Sequence, residues 1–363
     1  MNSPEFGRFF LPGPTEVHPD VLQAMTKPMI PHRGSGMVDL LEGVEPGLKR
    51  LFCTDQPVMI GTCAATGFME MAVRSGVQHR ALSLVGGAFG ERFAAIVLAT
   101  GRDVVRLDVQ LGRTVEPDML RDALKRGPVD AVTVVHSETS TGALAPLEEL
   151  AAVVAEFDDV VLLVDTVTSM AGSPVKTDDW KLDFTFTGAQ KAFALPPGLA
   201  FGVASEQMLE RAKTVPERGA YFDVVAYHKA AESYQPTNTP AISLLYALEA
   251  QLQRIDHEGG PEGRWARHDS MRKAVEAWVA GAGGDLGYSY LPEEGRRSWT
   301  VSCLNVPEDA NGRTITQAMK KEGWVIGSGY GRLKSQTIRI GHMGDHSVER
   351  VNELLLCLET VTA

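Results

Sequence analysis

The stretch that decides the fold is Asp183–Ala192, with the sequence DFTFTGAQKA. Its first half alternates phenylalanine with threonine, which is typical of a buried β-strand. Thr187 and Gly188 end this strand, and the chain then turns into a polar corner that carries Lys191. Apolar surroundings lower the pKa of a lysine, because desolvation disfavours the charged form. The neutral amine is the form that Schiff-base chemistry needs, although a surface lysine just past a strand is the alternative.

The composition restricts the class of partner. The chain has 363 residues, of which 44% are hydrophobic and 22% are charged, and its length predicts about two domains. A net charge of −11 argues against nucleic acid and anionic membranes as partners. No apolar run approaches the roughly 20 residues of a membrane span. A small anionic substrate stays possible, since it responds to local charge.

The four cysteines form no CxxC pair and no His/Cys cluster, so we expect neither a disulfide framework nor a metal site. Reduced thiols predict a cytoplasmic location. The first residues, MNSPEF, lack the basic and apolar regions of a signal peptide. We leave residues 1–6 out of the fold prediction, because such a segment can derive from an expression vector.

Strands and helices alternate from Pro57 onward. The strands are short, β-branched and apolar on both faces, as in a parallel sheet covered by helices. They are predicted at Val58–Gly61, Ala81–Val85, Val104–Leu107, Ala131–His136, Val160–Asp165, Phe184–Thr187 and Leu199–Val203. Helices are predicted between them at about 67–78, 88–100, 117–126 and 147–157. This order predicts an α/β fold with a doubly wound, mostly parallel sheet.

The pattern changes after Ser205. Residues 214–240 contain three prolines and are predicted to be irregular, and 281–284 are predicted to form a glycine-rich turn. Strands at 299–306 and 336–341, with helices at 313–322 and 346–360, predict a smaller α+β unit. We therefore expect a large domain over residues 18–257, a small C-terminal domain over 258–363, and an N-terminal arm over 7–17.

Chemistry-bearing residues follow the predicted strands, and ligands of open α/β sheets bind beyond the carboxyl ends of the strands. Gly61–Gly67 leads into a helix whose N-terminus offers backbone N–H groups to a phosphate, although a plain strand-to-helix turn has the same pattern. Phe89 either packs in the core or stacks on a planar ring. Residues 136–142, HSETSTG, are dense in hydrogen-bonding groups. Asp165 either caps the next segment or faces a cation or strong donor.

A phosphate-binding helix terminus, an aromatic ring, an inward carboxylate and a lysine are together the signature of a pyridoxal 5'-phosphate site. In such a site, the carboxylate of Asp165 keeps the ring nitrogen protonated, so the ring accepts electrons when the substrate loses its α-proton. Lys191, once displaced by substrate, is the base that moves this proton.

The chain resembles the class V, fold type I pyridoxal-phosphate aminotransferases, especially the alanine–glyoxylate and serine–glyoxylate group. The resemblance covers nearly the whole chain and implies a fold type I transferase. It depends on several motifs in a fixed order, namely PGPT (12–15), HSETSTG (136–142), LVDTVTS (163–169), TGAQKA (187–192), PPG (196–198), NTPAISL (238–244) and RIG (339–341).

The resemblance implies a role for each residue around the cofactor ring. Lys191 forms the Schiff base and Asp165 binds the pyridine nitrogen. Val167 packs on one face of the ring and Phe89 stacks on the other, in place of the more usual tryptophan. Thr139 lies near the ring hydroxyl.

The resemblance also implies how the phosphate is held. Ala65, Thr66 and Gln190 bind it, although related sequences often have Ser-Gly-His where this chain has Ala64–Thr66. Asn238 and Thr239 are similar to the pair that reaches the phosphate from the partner subunit. A homodimer with shared active sites is therefore expected.

For the substrate, the resemblance implies that Arg339 binds the α-carboxylate, a role that suits its planar, bidentate guanidinium. The predicted reaction moves an amino group between alanine or serine and a 2-oxo acid such as glyoxylate or pyruvate, in ping-pong half-reactions. His32 and Arg33 resemble the loop with which phosphoserine aminotransferases hold the substrate phosphate. Phosphoserine:2-oxoglutarate transamination is therefore the alternative, although serine–glyoxylate relatives share this loop.

Two more remote alternatives stay open. Cysteine desulfurases resemble the chain in the lysine segment, but they need a mobile cysteine in the C-terminal domain, whereas Cys303 falls in a predicted strand. A non-enzymatic α/β protein that binds a nucleotide is the other alternative. Its nearest signal is Gly327–Gly331, which lies outside the βα series.

Overall fold

The structure is a computed structural model that describes residues 6–362. Of residues 1–6, which were left out of the fold prediction, residues 1–5 lie outside the described residues. The strands are β1 Phe9–Phe10, β2 Met59–Gly61, β3 Arg80–Val85, β4 Asp103–Asp108, β5 Ala131–Val135, β6 Ser137–Glu138, β7 Ala143–Leu144, β8 Val161–Asp165, β9 Phe184–Gly188, β10 Ala200–Ala204, β11 Ser289–Tyr290, β12 Ser302–Asn305, β13 Val325–Ser328 and β14 Thr337–Ile340.

The helices alternate with these strands in the first two thirds of the chain. They are α1 Pro19–Ala24, α2 Ser35–Phe52, α3 Ala65–Gly76, α4 Ala88–Ala99, α5 Pro117–Leu124, α6 Leu147–Val154, α7 Glu206–Thr214, α8 Val224–Glu232, α9 Ile242–His257, α10 Gly260–Ala280, α11 Ala282–Asp285, α12 Gly312–Lys321 and α13 Val348–Thr362. A short 3-10 helix spans Gly331–Leu333.

Seven strands form one sheet in the order β2-β10-β9-β8-β5-β3-β4. Strands β9, β8, β5, β3 and β4 run parallel, and β10 runs antiparallel to its neighbours β9 and β2. The connection from β9 to β10 contains no helical crossover, so the chain returns antiparallel. The prediction of a mostly parallel α/β sheet is confirmed, and Lys191 lies in this connection, beyond the carboxyl end of β9.

Both faces of this sheet are buried. Alternate residues of β8 contribute to two separate cores, with Leu162 and Val164 in one and Val161 and Leu163 in the other. Helices α2, α5, α6 and α9 cover the first face, and α3, α4, α7 and α8 cover the second. This two-sided burial explains why the strands are almost continuously apolar in sequence.

A five-stranded sheet forms in the order β1-β13-β14-β12-β11. Its core contains residues of α10, α12 and α13 together with Phe10 from the N-terminal arm. Strand β1 adds to this sheet by parallel pairing with β13, in the register Phe9↔Val325. The arm is therefore part of the C-terminal sheet, whereas the domain boundary at residue 257 stays a prediction.

The prediction missed the short strands β6 and β7 and helix α7, and it was wrong at further elements. Residues 214–240 contain a regular helix, α8, because the side chain of Asp223 caps it by accepting the N–H of Val225 and its apolar residues pack under the sheet. The turn at 281–284 is instead the short helix α11. Strand β13 was missed, since its four residues pair with β1 and β14 from distant parts of the sequence.

Candidate active site

A cavity of about 210 Å³ opens beyond the carboxyl ends of β5, β8 and β9. Its position agrees with the rule that open α/β sheets bind ligands at this edge. The predicted site residues that line it are Ala65, Thr66, Phe89, Thr139, Asp165, Val167, Gln190 and Lys191. These predicted residues come from five separate parts of the sequence and converge on one space.

Lys191 is almost completely buried in this cavity, with 7% of its surface exposed. Burial, together with the positive charge of Arg339, lowers the pKa of its amine to about 8, although the carboxylates of Asp165 and Glu138 oppose the shift. Nζ donates a hydrogen bond to the carbonyl of Pro12 in the N-terminal arm. About a tenth of the amines are therefore neutral at pH 7, a far larger share than for an exposed lysine.

Asp165 ends β8 with its carboxylate toward the same cavity. Its Oδ1 accepts the backbone N–H of Val167 at 2.8 Å, so the capping interaction considered in the sequence analysis also forms. No described residue donates a hydrogen bond to Oδ2. Burial raises the pKa of this carboxyl group to about 7. The second oxygen is thus available to a donor on a bound molecule, and a cationic donor would restore its negative charge.

Helix α3 presents its N-terminus to the cavity. The residue before it, Ala64, has no side chain that can cap the helix, so its first N–H groups are free to bind an anion. Thr66 and Gln190 line the cavity beside this terminus. The side chain of Gln190 packs closely against the backbone of Gly188, because a Cβ at Gly188 would lie 2.7 Å from Oε1 of Gln190. Small residues around an uncapped helix end fit a phosphate group.

Phe89 is held by a carboxylate that the sequence analysis did not single out. Oε2 of Glu138 accepts the N–H groups of Phe89 and Gly90 at 3.0 and 3.1 Å. Oε1 accepts the N–H and the hydroxyl of Ser140 at 3.0 and 2.5 Å. Glu138 is buried and caps α4 at its positive end, which fixes the first turn and the ring of Phe89. The guanidinium of Arg92, also missed, lies 4.9 Å from the centre of this ring.

Thr139 and Val167 lie in the wall of the cavity. The hydroxyl of Thr139 is 2.5 Å from the hydroxyl of Thr168, another residue that the sequence analysis missed. A hydroxyl pair of this kind can donate to or accept from a polar substituent on a ring.

Arg339 is next to the cavity and is largely fixed by the protein. Its Nε donates to the carbonyl of Ser328 at 3.0 Å, and Nη1 donates to the carbonyl of Thr139 at 3.2 Å. The ring of Tyr330 packs 5.5 Å from its guanidinium carbon. Nη2 makes no hydrogen bond with the described residues, so this edge is available to a carboxylate.

Besides Arg339, which lies next to the cavity, four predicted site residues do not line it within one chain, namely His32, Arg33, Asn238 and Thr239. Arg33 and Asn238 lie together at a separate pocket on the surface. The structure thus does not bring these residues to Lys191 within the single chain.

Two alternatives lose support from the structure. Cys303 is fully buried in β12 and is not on an exposed loop. Gly327–Gly331 joins β13 to a 3-10 helix in an antiparallel sheet, so it lacks the βα setting of a dinucleotide-binding loop. Among residues 6–362, no group of three metal-ligating side chains occurs. None of the helices in this range has the length and apolar character to cross a membrane.

Comparison with known proteins agrees with this geometry. The family model of class V aminotransferases matches residues 92–340. The chain is 38% identical to an uncharacterised aminotransferase of Methanocaldococcus jannaschii over 96% of this chain and 91% of that protein. It is 31% identical to an L-aspartate–glyoxylate aminotransferase of Paracoccus denitrificans, over 92% and 86%.

Among solved structures, an alanine–glyoxylate aminotransferase of Nostoc sp. superposes with a TM-score of 0.92 at 29% identity, and the match covers 100% of this chain and 96% of that one. The chain therefore belongs to the class V aminotransferase family and has the fold type I architecture. It is an enzyme of the aminotransferase class.

Proposed function

We propose that this class V aminotransferase uses pyridoxal 5'-phosphate to move an amino group between a small amino acid, alanine or serine, and a 2-oxo acid such as glyoxylate or pyruvate. The main support for the proposal is that Lys191 and Asp165 line the same cavity, beside the uncapped N-terminus of α3. The names of relatives, which include an L-aspartate–glyoxylate and an alanine–glyoxylate aminotransferase, support glyoxylate as acceptor.

The residues present fit this cofactor. The free N–H groups at the start of α3, with Thr66 and Gln190, would hold the phosphate. Oδ2 of Asp165 would accept a hydrogen bond from the protonated ring nitrogen. Phe89 and Val167 would lie against the two faces of the ring. Bound there, pyridoxal phosphate supplies a carbonyl carbon that reacts with amines and a ring that accepts electrons.

Side chains of the protein then bind and transfer the protons of the reaction. Lys191 lies in the cavity with a pKa lowered to about 8 by burial, so its neutral amine can take the α-proton of the substrate at Nζ and return it to another atom. Asp165 would hold a proton at the ring nitrogen of the bound cofactor through its charge and a hydrogen bond. The low exposure of both side chains keeps water from competing for either proton.

Arg339 would bind the substrate carboxylate through Nη2, since its other donors are used by Ser328 and Thr139. Through its contact with Thr139, whose hydroxyl faces Thr168, Arg339 would connect the substrate position to the wall of the cofactor cavity. The two substrates use this position in turn, which gives ping-pong half-reactions.

The same proposal includes a homodimer with shared active sites. Asn238 and Thr239 are largely exposed and lie outside the cavity of their own chain. In a dimer they would reach the phosphate of the partner subunit, as the family pattern implies. The four free cysteines support the further inference of a reducing, cytoplasmic location.

Half-reaction spectra test the proposal. The purified protein should take up pyridoxal phosphate and absorb near about 410–430 nm, and Lys191→Ala should abolish this band. Alanine or serine should then bleach the band, and glyoxylate should restore it. A colourless protein that takes up no cofactor would overturn the enzyme assignment.

The phosphoserine alternative is decided by the same spectra. Bleaching by phosphoserine in preference to alanine and serine, lost in Arg33→Ala, would assign the phosphoserine reaction instead. Arg126→Ala, at an exposed arginine far along the sequence, serves as the control for loss of a surface charge.

A further inference from the structure

The N-terminal arm forms part of the wall around Lys191. The backbone N–H of Thr15 donates to the carbonyl of Gln190, the residue before the lysine, at 2.9 Å. The hydroxyl of Thr15 donates to the carbonyl of Met343 at 3.4 Å, and the N–H of Gly341 donates to the carbonyl of Phe10 at 2.8 Å. The segment between Phe10 and Thr15 is thus fixed at both ends.

Within this segment, the carbonyl of Pro12 accepts a hydrogen bond from Nζ of Lys191. Among residues 6–362, this carbonyl is the one acceptor to which the amine donates a hydrogen bond. Charged groups face the amine from four elements: Asp165 on β8, Glu138 on β6, Arg339 on β14 and Arg92 on α4. Without the carbonyl contact, the amine would be free to move toward either carboxylate.

Gly13 leaves room for this contact. Its φ of +110° is in the region that favours glycine, and a Cβ there would lie 2.5 Å from Cδ, Cε and Nζ of Lys191. The backbone of the arm is fixed, whereas the end of a lysine side chain is flexible. Any side chain at position 13 would therefore push the amine away from the carbonyl of Pro12.

We propose that Pro12 and Gly13 form a docking position for the amine of Lys191 whenever that amine is released from the cofactor. The carbonyl takes one N–H, so the lone pair and the remaining hydrogen stay directed to the cavity, where the substrate proton is moved. This role rests on the proposed function, and it makes Gly13 a positioning residue that acts through Lys191.

The test compares wild type with Gly13→Ala. The control is Gly295→Ala, because Gly295 also has a positive φ, +78°, but its Cβ would meet no atom within 4 Å. Cofactor-free protein is labelled with pyridoxal phosphate and borohydride over a range of pH, and the label on the Lys191 peptide is quantified by mass spectrometry. Steady-state turnover with the amino donor and the 2-oxo acid gives kcat and KM.

We expect Gly13→Ala to lower kcat about tenfold or more while KM stays within about threefold. The midpoint pH of labelling should move below that of wild type, because a carbonyl acceptor favours the ammonium form and its loss lowers the pKa. A merely structural disturbance would reduce the amount of label without moving the midpoint. Gly295→Ala should match wild type in all three quantities.

Wild-type kcat and midpoint in Gly13→Ala would overturn the docking role. Absence of label on Lys191 in the wild type would instead contradict the proposed function, so the two failures are distinguishable. If Gly13→Ala does not fold, Thr15→Ala decides the question, since it loosens the arm without adding bulk. A lower kcat and midpoint in that variant support the proposal, and wild-type values overturn it.

Discussion

The buried guanidinium of Arg264 donates two hydrogen bonds to the carbonyl of Ala192, the residue that follows Lys191. Nε and Nη2 lie 3.2 and 2.6 Å from this oxygen. Nη1 is 3.0 Å from the carboxylates of both Glu258 and Asp345. Helix α10, from the C-terminal third of the chain, is therefore tied directly to the segment that carries the lysine.

Arg264→Met should destabilise the protein by about 3 kcal/mol, because it leaves two carboxylates and a carbonyl without their buried cationic donor. Urea unfolding of the cofactor-free protein measures this change. The control is Arg50→Met, which removes the exposed ion pair with Asp256 and should cost less than about 1 kcal/mol. Equal losses in the two variants would contradict a special role of Arg264.

Asp165 should make the stability of the cofactor-free protein fall as pH rises. Its pKa is raised by burial from 3.8 to about 7, so between these values the folded protein binds a proton that the unfolded chain has released. Unfolding free energy therefore decreases with pH across this window. Asp165→Asn stays neutral and should be more stable than wild type at pH 8, by on the order of 4 kcal/mol.

The measurement is urea unfolding of wild type and Asp165→Asn at pH 5 and at pH 8. Comparing the two proteins cancels the contribution of buried histidines, whose lowered pKa values act in the opposite direction. A difference between the two proteins that does not depend on pH would refute the raised pKa.

Glu138→Gln should weaken cofactor binding about tenfold. Glutamine has one acceptor oxygen, so either the N–H groups of Phe89 and Gly90 or the donors of Ser140 lose their partner, and the ring of Phe89 is no longer fixed. Equilibrium dialysis gives the dissociation constant. Glu148→Gln, which neutralises an exposed carboxylate in the first turn of α6, should leave it within about twofold.

Arg339→Lys should lower kcat/KM for the amino donor about a hundredfold, since a lysine cannot hold Ser328, Thr139 and a substrate carboxylate in one plane. Steady-state kinetics measure this loss, with cofactor uptake as a check that the site is intact. Arg332→Lys, at an exposed position on the 3-10 helix, is the matched control and should change kcat/KM by less than about twofold. A similar loss in both variants would argue against a specific carboxylate contact.

Subunit mixing tests the shared active site. Lys191→Ala and Thr239→Ala should each be inactive or nearly so if Thr239 serves the partner subunit. Half of the randomly reassociated dimers would be hybrids with one intact site, so mixing should restore about a quarter of wild-type activity. No recovery after verified exchange of subunits would mean that Thr239 acts within its own chain or not at all.

Much of the fold could be predicted from the sequence, because two-sided burial leaves a continuous apolar pattern in each strand. The seven strands of the large sheet were predicted within one or two residues of their bounds, whereas the two-residue strands β6 and β7 were missed. Helix α8 and strand β13 were missed, since their pairing and capping partners are set by the tertiary fold. Strand β10 was predicted as a strand, but neither its position in the sheet nor its antiparallel direction was predicted.

The site residues likewise divide into those that the sequence indicated and those that it did not. Lys191 and Asp165 could be found in the sequence, because a charged group directly after an apolar strand is costly unless it has a function or a partner. Glu138, Arg92 and Gly13 were not found, since nothing in their local sequence shows which distant groups they contact. The carbonyl of Pro12 is 179 residues from the lysine that it contacts.

By itself, the sequence thus determined the class of fold, the lysine and carboxylate pair, and the chemistry expected of them, because these depend on local apolar patterns and on residue type. Only the tertiary structure decided what holds Lys191, the lysine of the segment DFTFTGAQKA, in place. Pro12 and Gly13 of the N-terminal arm contact the lysine on one side, and Arg264 binds the carbonyl of Ala192 on the other. The physical reason is that backbone carbonyls carry no sequence identity, so the partner of a buried donor is fixed only when the chain folds.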